Sequence, residues 1–120
     1  MTILLVEDNF LVARATAMLI ESLNKNTMVE IVSDIATSRE KIKTTSFKLI
    51  LIDFTLPDGN GLELIKYLRE QGINTPIIGL TANPEAYNKQ EIPIVGLNEY
   101  FLKPLSRKIW HNISLKYLLD

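Results

Sequence analysis

Five positions with chemistry to offer stand where short apolar runs stop. Ile3-Leu4-Leu5-Val6 stops at Glu7-Asp8, Leu49-Ile50-Leu51-Ile52 at Asp53, and Ile77-Ile78-Gly79-Leu80 at Thr81; a weaker run, Tyr100-Phe101-Leu102, stops at Lys103. Adjacent carboxylates such as Glu7 and Asp8 can bind a hard divalent cation through oxygen, or simply complement a helix dipole. Asp53 can ligate a metal or act as a nucleophile, since a carboxylate can form an acyl phosphate; it can also be a plain turn residue. Thr81 can donate to a phosphoryl oxygen or cap a helix. Lys103 can pair with a phosphoryl group or be an ordinary surface lysine. Pro104 after it admits a cis bond that would aim the side chain, with trans as the default.

Singly these signals are weak; jointly they point one way. Three carboxylates drawn together repel one another and call for a cation. Mg²⁺ suits an all-oxygen site that keeps waters and binds phosphate. Phosphoryl transfer needs a placed nucleophile and cations on the equatorial oxygens. Asp53 supplies the first, and Mg²⁺ with Lys103 the second.

The elements that must position these groups alternate along the chain. Short apolar runs read as buried parallel strands, here Thr2–Val6, Met28–Val32, 48–52, 76–80 and Glu99–Leu102. Between them the spacing predicts helices. The first covers Phe10–Leu23, with Asn9 as N-cap and Leu11, Ala15, Met18, Leu19 and Ser22 along its inward face. The second covers Ile35–Thr44, with Ile35, Arg39 and Ile42 near helical spacing. The third covers 61–71, with Leu62, Leu64, Ile65 and Leu68 inward and Gly72 as C-terminal cap. A fourth, bounded by Pro84 and Pro93, must be short. The fifth covers 106–118, with Ile109, Ile113 and Tyr117 spaced by four. Leu56-Pro57-Asp58-Gly59 is a turn signal. Five strands alternating with five helices imply right-handed βαβ units in one doubly wound α/β sheet with helices on both faces. The most apolar strands, the first, third and fourth, belong in its middle. Ligands of such sheets sit at the carboxyl ends of the strands, so Glu7, Asp8, Asp53, Thr81 and Lys103 are expected around one pocket.

Composition sets the bounds. The chain has 120 residues, 47% hydrophobic and 22% charged, enough for one domain over residues 1–120 and one core. A net charge of −1 gives no reason to expect nucleic-acid binding. Cys is absent, which excludes disulfides, thiolate catalysis and zinc-thiolate sites, and fits a reducing, cytoplasmic setting. Met1-Thr2 runs straight into the first strand, so no signal peptide is expected, and the apolar runs are too short for the ~20 residues a membrane span needs.

The segments ILLVEDN (3–9), LILIDFTLPDGNG (49–61), PIIGLTAN (76–83) and GLNEYFLKP (96–104) together resemble the receiver domain of two-component response regulators. The resemblance covers essentially the whole chain. It implies a flavodoxin-like (βα)5 fold of strand order 2-1-3-4-5. It implies that Asp53 accepts phosphate from a phosphohistidine on a histidine kinase or phosphotransfer protein. Asp8 and Asp53 would ligate Mg²⁺ directly, Glu7 through water, and the backbone carbonyl of Thr55 would complete the protein ligands. Lys103 would contact the phosphoryl group. Thr81 would move to hydrogen-bond it, and Tyr100 would swing inward, changing the surface of the fourth helix, fifth strand and fifth helix, where a homodimer could form. Pro57 and Gly61 match the family's turn after the phosphorylated Asp. The VEDN opening and the KPLS segment look most like receivers of hybrid sensor kinases.

Two departures stand out. Pro84 and Pro93 bracket the fourth helix, which puts switching through that face in question, and Thr55 stands two places after Asp53, beside the phosphate. Rival readings are a pseudo-receiver that only binds partners, a haloacid-dehalogenase-like phosphatase and a flavin protein. The phosphatase wants an Asp where Thr55 stands, and a flavin site wants Ser/Thr/Gly-rich loops that do not follow the first strand. His111, the one His, reads as a surface residue of the last helix. Trp110 reads as partly exposed, closing the edge of the core rather than marking an association surface. Tyr87 has no assigned role.

Overall fold

The computed structural model describes residues 1–82 and 96–119 of the chain. Five strands, β1 (Thr2–Val6), β2 (Met28–Val32), β3 (Leu49–Asp53), β6 (Ile77–Thr81) and β7 (Glu99–Leu102), form one sheet in the order β2-β1-β3-β6-β7. Every neighbouring pair in it is parallel. A two-stranded hairpin, β4 (Thr55–Leu56) and β5 (Gly59–Asn60), interrupts the alternation, so this order is the expected 2-1-3-4-5 counted over the five long strands. The hairpin turns at Pro57-Asp58, where the sequence carries its turn signal. Four helices are described: α1 (Phe10–Leu23), α2 (Ile35–Thr44), α3 (Gly61–Glu70) and α4 (Arg107–Tyr117). The fourth helix expected around Pro84 to Pro93, and Tyr87 with it, lies outside the described residues.

Side chains of a strand alternate between faces, and both faces are covered. Leu4, Val6, Ile50, Ile52 and Ile77 pack with Ile35, Leu64, Ile65 and Leu68 under α2 and α3. Ile3, Leu5, Leu49, Leu51, Ile78 and Leu80 pack with Ala13, Ile20, Trp110 and Ile113 under α1 and α4. Such two-sided burial is why β3 and β6 read as unbroken apolar runs.

The caps expected from sequence are in place. Asn9 accepts from the Val12 N–H, and Gly72, at a φ of +78°, follows α3 with its N–H bonded to the Arg69 carbonyl. Three expectations about faces need correction. The inward face of α1 is Ala13, Thr16, Ala17 and Ile20, whereas Leu11, Ala15, Met18 and Ser22 face solvent and Leu19 is only half-buried. Small residues let the helix approach the sheet closely, and apolar residues all round this helix leave its periodicity without a unique phase. In α2 the buried partner of Ile35 is Ser38, while Arg39 is exposed with its guanidinium 4.2 Å from the Tyr67 ring centroid. Trp110 is buried, at 1% exposure, with its indole N–H bonded to Asn24 Oδ1, so it belongs to the core rather than to its rim. His111 lies exposed on α4, as expected.

Candidate functional site

Parallel register carries the chemistry to one edge. Val6 aligns with Ile52, Asp53 with Leu80, and Thr81 with Leu102, so Glu7, Asp53, Thr81 and Lys103 leave the sheet at the same end. Carboxylate oxygens of Glu7, Asp8 and Asp53 all lie within 4.8 Å of one another. The Lys103 ammonium donates to Glu7 Oε1 at 2.9 Å and to Asp53 Oδ2 at 2.8 Å. These residues are 96 and 50 positions from it in the chain. The Lys103–Pro104 bond is cis, against the trans default. Thr81 is buried beside the cluster, and its carbonyl accepts the Lys103 N–H at 2.7 Å.

The loop after Asp53 is held from several sides. The Thr55 N–H donates to Asp53 Oδ1 at 3.1 Å. Gly61 opens α3 pressed against the end of β3: its N–H bonds the Phe54 carbonyl at 2.8 Å, and a Cβ there would lie 2.4 Å from the Asp53 carbonyl oxygen. Asp58, at the hairpin tip, accepts the Ile35 N–H at 2.9 Å and the Ala36 N–H at 3.1 Å. The hairpin is thereby tied to the start of α2, where free N–H groups favour a carboxylate. Those backbone donors hold the Asp58 carboxyl below its usual range. In the sequence Asp58 reads only as a turn residue, and nothing local shows that its side chain reaches another helix.

Electrostatics follow from three carboxylates facing one ammonium. Burial, then the neighbouring Asp53, pushes Glu7 up to about 7, with Lys103 opposing. Burial also acts to raise Asp53, but hydrogen bonds from Glu7, Lys103 and the Thr55 N–H outweigh it and hold Asp53 below the ordinary range. For Lys103 burial favours loss of the proton, and the two carboxylates more than reverse this. Glu7 Oε2 is buried without a hydrogen-bond partner. A buried, unpaired carboxylate oxygen is costly, and among hard oxygen donors it is the natural complement of a divalent cation. The acidic set Glu7, Asp8 and Asp53 can therefore hold a metal ion. Tyr100 is half-buried on β7, with its ring centroid 6.2 Å from that of Phe54.

Comparison with known proteins agrees with this geometry. The family model for the response regulator receiver domain matches residues 3–113. The transcriptional regulatory protein DltR of Streptococcus agalactiae is 36% identical over 104 residues, covering 87% of this chain and 46% of DltR. The signal transduction histidine-protein kinase BarA of Escherichia coli is 32% identical over 120 residues, covering 98% of this chain and 13% of BarA. The chain thus spans about half the length of DltR and a small part of BarA. Among solved structures, the receiver domain of the sensor histidine kinase PA1611 from Pseudomonas aeruginosa, with a magnesium ion in its active-site cleft, superposes with a TM-score of 0.84 at 29% identity, covering 98% of this chain and 96% of that one. A CheY-like receiver from Methylobacillus flagellatus shares the fold at a TM-score of 0.86 and 22% identity, covering 97% of each chain. The chain belongs to the response regulator receiver family of two-component systems.

Proposed function

We propose that the domain, spanning residues 1–120, is a phosphoacceptor in a phosphorelay and takes a phosphoryl group on Asp53 from a phosphohistidine donor. The observation that carries this reading is the Lys103 ammonium, bonded at once to Asp53 and Glu7 at the carboxyl edge of the sheet. In the transfer, a carboxylate oxygen of Asp53 attacks phosphorus, the P–N bond to the donor imidazole breaks, and its electron pair returns to the ring. Asp53, held ionised, is the nucleophile. Lys103 follows the transferred oxygens and balances their charge. The Thr55 N–H fixes the carboxylate's orientation, and the Thr81 hydroxyl donates to a phosphoryl oxygen. Glu7, Asp8 and Asp53, with the Thr55 carbonyl, would hold Mg²⁺, which when bound neutralises charge on the phosphoryl oxygens. The domain is consumed and regenerated in this chemistry rather than acting as a turnover enzyme.

The donor needs a surface beside Asp53, and α1 offers one. Leu11, Val12 and Ala15 with Pro104 and Leu105 line a groove of about 250 Å³. Phe10, Leu11 and Met18 are 72%, 77% and 61% exposed. Apolar stripes of this kind mark docking sites, and this one adjoins Lys103 through Pro104. A histidine kinase or a histidine phosphotransfer protein is the partner, reached in the cytoplasm; similarity to BarA favours a place in a hybrid sensor kinase. No helix among the described residues is long and apolar enough to cross a membrane. Phosphorylation is read out by Thr81 and Tyr100 through the β7 and α4 surface, with nucleic acid left to other domains.

Incubation with Mg²⁺ and acetyl phosphate, followed by intact-mass measurement, tests the chemistry. A labile phosphate is expected on the wild type and none on Asp53→Asn; an adduct indifferent to that substitution would reject the assignment. Mg²⁺ alone should raise the melting temperature, since a ligand of the folded state stabilises it. Asp8→Ala should remove most of the rise, and equal responses of the two proteins would refute the metal site.

A further inference from the structure

We propose that Phe54 is the positioning residue that seats Tyr100, in a notch made by Gly79, and so carries events at Asp53 to the β7 surface. The inference deepens the phosphoacceptor reading and rests on it for its consequence, though not for its geometry.

Gly79 stands in the middle of β6, a strand otherwise built of Ile, Leu and Thr and buried throughout. Gly weakens a strand interior, and its presence there marks a close approach. The three glycines with positive φ are Gly59, Gly72 and Gly96, so Gly79 answers a demand for space rather than for backbone conformation. A Cβ at Gly79 would lie 2.3 Å from Cε1 and 2.4 Å from Cζ of Phe54, and 3.3 Å from Cβ of Tyr100. The notch therefore holds the Phe54 ring, with Tyr100 at its margin.

Position in the sheet makes this arrangement informative. Gly79 aligns with Ile52 on β3, the strand that ends in Asp53, and with Tyr100 on β7. Phe54 follows Asp53 in the chain and is 1% exposed. Its N–H donates to the Leu80 carbonyl at 3.2 Å, and its carbonyl accepts the Gly61 N–H. The two rings meet at a 40° tilt with centroids 6.2 Å apart, within the range in which aromatic pairs attract. A backbone shift at Asp53 must carry the attached Phe54 ring with it, and that ring is clamped between β6 and Tyr100. Any side chain at position 79 would fill the notch and part the two rings. A packed interior passes such a displacement on rather than absorbing it.

The test labels the protein with fluorotyrosine and follows Tyr100 by fluorine NMR, its resonance assigned with Tyr100→Phe. Spectra are taken without metal, and with Mg²⁺ plus acetyl phosphate; phosphate uptake is weighed on the same samples. Phe54→Leu is expected to move the Tyr100 resonance even without metal. It should then take up phosphate as the wild type does, yet lose most of the phosphate-dependent shift of Tyr100. Gly79→Ala should lose the same shift; if it does not fold, Phe54→Leu decides. A ring that merely adds stability would lower the denaturation midpoint and leave the phosphate-dependent shift of Tyr100 at wild-type size, and that result overturns the proposal. If the wild type takes up no phosphate, the phosphoacceptor reading falls. The metal-free spectrum then still decides the seat: an unmoved Tyr100 resonance in Phe54→Leu rejects it, and a moved one upholds it.

Discussion

Helices α1 and α3 both start from an Asn cap and both flank the carboxylate cluster, yet they dispose of their apolar residues in opposite ways. In α3 the large side chains Leu64, Ile65 and Leu68 are fully buried, with Lys66 between them in the sequence and Glu63, Arg69 and Glu70 on either side. In α1 the packed face is Ala13, Thr16, Ala17 and Ile20, and the large Phe10, Leu11 and Met18 point to solvent. One helix is committed to the core. The other meets the sheet through small residues and keeps a second apolar face beside the carboxylate cluster. An amphipathic helix announces its buried side by period; a helix apolar all round is settled by which face lets the backbones approach.

The largest effect should separate the two helices by stability. Leu64→Ala removes a fully buried side chain and is expected to cost about 2–5 kcal/mol. Met18→Ala, on the exposed face, should stay within about 0.5 kcal/mol. Urea unfolding of both variants measures the contrast. A loss at Met18 comparable to that at Leu64 would mean that the outer face of α1 is part of the fold, and the comparison would break.

Transfer kinetics sharpen the same comparison from the other side. Leu11→Asp places a charge in the groove beside Pro104. Transfer from a phosphohistidine protein is expected to slow about tenfold, which is about 1.4 kcal/mol. Uptake from acetyl phosphate, which needs no docking, reads the chemistry at Asp53 separately. A parallel fall in both rates would place Leu11 in support of the site rather than in recognition.

The same contrast explains what the amino-acid sequence discloses. β1, β2, α1 and α2 have the bounds expected from their patterns, and the gathering of Glu7, Asp8, Asp53 and Lys103 follows from each group standing at the end of its own buried strand. These are local signals tied to a simple topology. The strand ends at Asp53 and Thr81 run one residue further than expected, because hydrogen bonding across a parallel sheet does not stop where hydropathy does. The phase of α1 is hidden because apolar residues stand on more than one of its faces. The tie from Asp58 to α2 links positions 23 apart and has no pattern of its own. The notch at Gly79 did leave a mark, a single glycine in the apolar run of β6, but the ring that fills it is supplied by another strand's end.

The smallest expected difference lies at the caps, where the two helices ought to behave alike. Asn9 Oδ1 accepts the Val12 N–H at 3.1 Å, and Asn60 Oδ1 accepts the Leu62 N–H at 2.8 Å. Each bond satisfies one of the N–H groups that a helix start leaves unpaired. Asn9→Ala and Asn60→Ala should therefore each lower stability by about 1 kcal/mol, as N-cap truncations commonly do. Equal losses would show that α1 is anchored at its site end as firmly as α3, leaving its exposed stripe as the feature that sets it apart. A cost at Asn60 with none at Asn9 would mean instead that the start of α1 yields freely, so that the residue beside Asp8 takes its position from the bound cation or donor rather than from the helix.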